Sequence, residues 1–80
     1  MNEHLNHEQV ALFCENLGMM YQAGISTPEA VRLVAEDSGK GTFANTVEAV
    51  GRHLEHGKSL SEALRATGAF PVHVVKMVEA

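Results

Sequence analysis

The chain has no tryptophan, one cysteine and two prolines among its 80 residues, and its phenylalanines and tyrosine are Phe13, Tyr21, Phe43 and Phe70. With so few aromatics the core must be built from Leu, Val, Met and Ala, which suits packed helices better than a sheet. The lone thiol, Cys14, has no partner for an internal disulfide, as expected of a reducing compartment. No run approaches the roughly 18 apolar residues needed to span a bilayer. The N-terminus also lacks the basic-then-apolar order of a signal peptide, so the polypeptide as it stands is expected to be soluble. A concentrated basic stripe is missing too. Arg32, Lys40, Arg52, Lys58, Arg65 and Lys76 are scattered along the chain, and phosphate neutralisation needs them clustered. No nucleic-acid partner is expected.

What is present excludes disorder: 45% of the residues are hydrophobic and the net charge is only −4. Eighty residues fit one domain over 1–80, burying roughly two thirds of the surface its unfolded chain exposes.

Apolar periodicity divides the chain into helices. Val10, Phe13, Cys14, Leu17, Met20 and Tyr21 recur at steps of three and one, the pattern of one helical face. A helix is therefore expected over about 6–23, with Gly24 as its left-handed stop. Ser26 precedes Glu29 by three residues, the spacing of a capping box, and Pro28 sits in the first turn. The stripe Val31, Val34 and Ala35 follows, then a loop at Asp37-Ser38-Gly39-Lys40-Gly41. Phe43, Val47, Val50 and Leu54 mark a third helix over about 42–56, closed by Gly57. A second capping box, Ser59 with Glu62, opens a short helix that points Leu60, Ala63 and Leu64 inward and ends at Gly68. Pro71 opens a fifth helix from Val72 to Val78; this run is β-branched, but a proline start favours a helix over a strand. The pattern predicts an all-α fold, an antiparallel bundle of about five helices joined by short glycine-bearing turns.

Two stretches echo each other. Residues 24–32 and 57–65 share Gly-x-Ser-x-x-Glu-Ala-(Val/Leu)-Arg. The physical content is a glycine stop followed by a capped restart. Two copies could begin a tetratricopeptide-like array, but such arrays need about three repeats, and the large-aromatic positions are absent. Two similar helix-to-helix corners explain the echo.

Sites for chemistry are sparse. His53 and His56 share a helical face, as do His4 and His7 by spacing, yet zinc needs three or four converging ligands. His4 and His7 are read as part of a frayed terminus, and His56 as a cation in a last turn. Gly39-Lys40-Gly41-Thr42 lacks the Gly-Lys-Ser/Thr order and preceding strand of a phosphate loop. Cys14 lies on the apolar stripe. No catalytic residue, cofactor or metal ligand is assigned, and the chain is not expected to be an enzyme.

The ordered motifs carry a family likeness. Leu12-Phe13 and Met19-Met20-Tyr21-Gln22-Ala23-Gly24-Ile25 resemble the opening helix and corner of the type II secretion system F domain. The capped run 26–35 is similar to its second helix. Leu54-Glu55-His56-Gly57-Lys58-Ser59-Leu60-Ser61-Glu62-Ala63-Leu64, then Phe70-Pro71 and Val74-Val75-Lys76-Met77-Val78, resemble its later corner, Phe-Pro turn and Val-x-Met-Val helix. The resemblance covers about residues 8–80. It implies a platform domain on the cytoplasmic side of a bacterial inner membrane, serving type II secretion or type IV pili. It further implies that the domain couples an assembly ATPase to pilin or pseudopilin subunits and contacts other platform proteins. Family domains continue into a sixth helix and carry transmembrane helices, so the sequence is expected to be a piece of a larger membrane protein. The last helix bears on partners as well: Val74, Val75 and Val78 form one stripe, and Val72 and Met77 lie off it. Val72 and Met77 are expected to form an interaction patch that recruits a second copy as a weak dimer, or a partner helix. A free-standing tetratricopeptide-like adaptor is the alternative function.

Overall fold

Asn6 begins the first helix. Its side-chain Oδ1 accepts the Gln9 N–H at 2.8 Å, and Gln9 Oε1 accepts the Asn6 N–H at 2.9 Å. This reciprocal box satisfies two amides that the first turn leaves without partners. The structure, a computed structural model, describes residues 5–79. Helix α1 runs His7–Gln22 and buries Val10, Phe13 and Leu17, with Cys14 and Met20 half-buried at the edges of that face. Tyr21, on the same stripe by periodicity, is exposed, and its hydroxyl shares a hydrogen bond with Thr27 Oγ1 at 3.0 Å.

The expectation of a frayed terminus fails for His7, which is the first helical residue. Just before it, Leu5 is buried and donates its N–H to the Ala69 carbonyl at 3.0 Å. Core burial and a backbone bond hold the chain here. His4 lies outside the described residues.

The remaining helices are α2 (Thr27–Asp37), α3 (Thr42–Glu55), α4 (Leu60–Thr67) and α5 (Val72–Glu79), with no strand among the described residues. The all-α reading is therefore correct. Each helix packs against the one that follows it, most extensively α2 against α3. Val31, Val47, Val50 and Leu64 are fully buried, and Ala30, Ala44 and Ala63 between them let the helices approach closely. Phe13 of α1 tilts at 50° against Phe70 of the α4–α5 turn, ring centroids 5.1 Å apart. That contact, worth about 0.5–1.5 kcal/mol beyond its buried area, brings the first helix to the last turn.

The sequence echo is a true repeat of backbone geometry. At the first corner Gly24 N–H donates to Tyr21 O at 3.0 Å and Ile25 N–H to Met20 O at 3.0 Å. At the second, Gly57 donates to Leu54 at 3.0 Å and Lys58 to His53 at 3.2 Å. Both are Schellman turns, in which a left-handed glycine closes the helix; φ is +83° at Gly24 and +88° at Gly57.

The restarts differ, which corrects one expected box. Ser59 Oγ accepts the Glu62 N–H at 3.2 Å, and Glu62 Oε1 accepts the Ser59 N–H at 2.8 Å, a complete capping box. Ser26 occupies the equivalent N-cap position but makes no side-chain cap bond. Two causes are visible. Pro28 at the second helical position has no N–H to offer. Glu29 is held by Arg32, which also reaches Glu36 at 2.7 Å. In α4 the corresponding Arg65 is taken by Glu79 of α5, so Glu62 stays free to cap.

Ser59→Ala should therefore lower stability by about 1 kcal/mol, and Ser26→Ala by far less, as read from urea midpoints. Hydrogen bonds from Ser59 hold the Glu62 carboxyl below its ordinary value of 4.5. A depressed folded-state pKa stabilises above the unfolded value and is lost as pH falls through the folded one. Glu62→Gln should thus flatten the decline of stability below pH 4.5. Gly18, exposed in mid-helix, has open space where a Cβ would sit. Gly18→Ala should raise stability by about 1 kcal/mol in the same assay.

Candidate functional site

A groove between α2 and α3 opens beside a missing side chain. Gly51 faces α2 from the middle of α3, and a Cβ built on it would meet Val31 Cγ1 at 3.7 Å, ordinary contact distance. With only hydrogen there, the two helices leave an open groove of about 670 Å³ between them. Its floor is apolar: Val31 and Ala35 from α2, Val47 and Gly51 from α3. Its rims are charged, with Glu29, Arg32 and Glu36 on one side and Glu48, Arg52 and Glu55 on the other.

Arg32 is already committed. Its hydrogen bond and charge interaction with Glu29, and then the charge of Glu36, raise its pKa further above the guanidinium value. These exposed pairs add little to stability, and they leave the α2 rim with one more carboxylate than its single guanidinium can balance. The α3 rim carries two carboxylates and one guanidinium, so the groove presents an excess of negative charge around an apolar floor. That arrangement can seat an amphipathic segment bearing basic residues. It offers no convergent nucleophile and base.

The residues singled out from the sequence are dispersed. Ser26 and Glu29 stand at the mouth of the groove. Ser59 and Glu62 cap α4 and take no part in it. Val72 and Met77 are exposed on α5, at 70% and 63%. They are five residues apart, which turns them about 140° from one another around the helix. His73 and Lys76 fall between them on the helix surface, so the two side chains flank a polar strip that carries the Lys76 charge.

The histidines serve local contacts. His53 Nδ1 lies 3.1 Å from Lys58 Nζ, and its pKa is lowered, first by burial and then by the charges of Lys58, His56 and Arg52. His56 Nδ1 meets the Arg52 carbonyl at 2.8 Å. Among the described residues no three His, Cys, Asp or Glu side chains come together as a metal would require. Cys14 is half-buried, and desolvation pushes its thiol pKa up, away from thiolate chemistry.

Sequence reasoning missed the groove residues Glu48, Gly51, Arg52 and Glu55, because a mid-helix glycine reads as a weak helix former. It also missed Leu12 and Met19, which are 48% and 58% exposed on α1. Their seven-residue spacing off the buried stripe was the available signal.

Among the described residues no helix is long and apolar enough to cross a membrane. Searches against curated proteins and against solved structures return no match. The family model for type II secretion system (T2SS), protein F, matches residues 13–80, which takes in the Phe13 contact, both Schellman corners and every residue of the groove. The chain belongs to the type II secretion system protein F family.

Proposed function

We propose that this chain is the cytoplasmic interaction domain of an inner-membrane platform protein for type II secretion or type IV pilus assembly. In this reading it couples an assembly ATPase to pilin or pseudopilin subunits and works by docking, without catalysis. Membership in a family of membrane-associated secretion machinery, extending over 13–80, is the observation that carries the proposal. The groove between α2 and α3 supports it physically. An apolar floor supplies area removed from water, and the glutamate-rich rims select a segment with lysine or arginine beside its apolar face. The tetratricopeptide-like adaptor finds less support, because Leu5 bonded to Ala69 and Phe13 against Phe70 close the helices on themselves instead of leaving a stack open for more repeats.

Titration of the purified domain with the assembly ATPase of its own system should show saturable binding by calorimetry. Glu48→Lys with Glu55→Lys should weaken it at least tenfold while leaving the thermal melt unchanged, since both side chains are exposed. Gly51→Leu, which fills the groove floor, should weaken it as well. Binding that survives all three changes would place the ATPase on another surface. No binding by the parent domain would remove the ATPase from the reading.

A further inference from the structure

Two exposed helical faces remain outside the groove, and they are complementary. On α1, Glu8 and Glu15 form a strip along the solvent side, seven residues apart, with Leu12 and Met19 on one flank. Ala11 and Gly18 occupy the other flank, also seven apart. All six are exposed, and at Gly18 nothing of this chain's own lies within 4 Å of where a Cβ would be. The face is an acidic ridge between a large apolar shoulder and a low one.

On α5 the order is the same and the charge is opposite. His73 and Lys76 form the central strip, one turn apart, with Met77 on one flank and Val72 on the other; all four are exposed. Glu79, the acidic residue of this helix, is drawn off to Arg65 of α4, so its charge does not cancel that of Lys76. Glu8, Glu15 and Lys76 belong to none of the three ion pairs formed among the described residues.

We infer that the α1 face of one copy receives the α5 face of a second copy. Lys76 lies over Glu8 and Glu15, one apolar flank of α5 packs on Leu12 and Met19, and the other settles on the low shoulder at Ala11 and Gly18. The lengths agree: Leu12 and Met19 are about 10 Å apart along α1, and α5 is about 12 Å long. Two like faces could not pair this way, because acidic ridge would meet acidic ridge, or lysine would meet lysine. The contact is therefore head-to-tail. A single contact of this kind leaves an open α1 at one end and an open α5 at the other, which either engage each other in a reciprocal pair or ring or take up further copies. This differs from a symmetric dimer through Val72 and Met77 and is independent of the partner seated in the α2–α3 groove.

Two variants of the whole chain test it. One carries Leu12→Gln, Glu15→Gln and Met19→Gln, disabling α1. The other carries Val72→Gln, Lys76→Gln and Met77→Gln, disabling α5. In sedimentation at rising concentration the parent should associate to a dimer or larger, and the association should weaken as salt is raised. Each variant alone should stay monomeric with unchanged helical circular dichroism. Mixed in equal amounts they should form a one-to-one pair and stop, because each contributes the face the other lacks. A parent that remains monomeric at every concentration overturns the inference, as does a mixture that fails to pair. Self-association by either variant alone overturns it too, since that would require like faces to meet. If a triple variant loses helicity, Glu8→Gln with Glu15→Gln, and separately Lys76→Gln, should each abolish the salt-dependent part of the association. Retention of that part by both would likewise overturn it.

Discussion

Every helix of this protein leans on the next in sequence, and the contact of Phe13 with Phe70 turns that succession into a closed bundle. Without it α1 would be joined to the rest mainly through α2. With it, the first helix reaches the turn before the last, and Leu5 follows by bonding to Ala69. The aliphatic core between depends on that closure. Val31, Val47, Val50 and Leu64, contributed by α2, α3 and α4, are fully buried within it. A composition nearly free of aromatics makes its two paired phenylalanines disproportionately important.

The same motif behaves differently at its two occurrences, and charge competition decides which way. Both corners end in a left-handed glycine and restart at a serine three residues before a glutamate. In α4 that glutamate caps. In α2 it is captured by an arginine one turn along, which in α4 is occupied across a helix boundary by Glu79. Local sequence sets out the candidates for each bond, and the neighbouring helix chooses among them. The uncapped start of α2 then has a second consequence, because Glu29 and Arg32 become part of the groove rim.

Much of the architecture is legible from spacing alone. The helix boundaries lie within a residue or two of those implied by periodicity and glycine positions, because each left-handed turn here needs a residue without a Cβ. What escaped that reading depends on relations between helices. The Asn6–Gln9 box satisfies the same rule as the serine boxes, but the histidines around it suggested a loose end, and only the fold reveals Leu5 buried beside it. The exposure of Val72 and Met77 was legible as residues off the stripe; their separation by His73 and Lys76 follows from helical angle, which an apolar count ignores. The groove is harder still, since it is defined by an atom that Gly51 does not have.

The order of contacts also governs how the chain acquires its shape. Helices that pack on their immediate sequence neighbours need only short loops closed, and such local topologies fold on microsecond to millisecond timescales. The pairing of Phe13 with Phe70 is the exception, because nearly the whole chain must be organised before those rings can meet. It therefore belongs late in folding and early in unfolding. Loss of that contact would leave α1 joined to the rest mainly through α2, while α2 to α5 keep the packing each makes on its neighbour. In hydrogen exchange this makes α1 a separate cooperative unit, with its amides exchanging before those of α2 and α3.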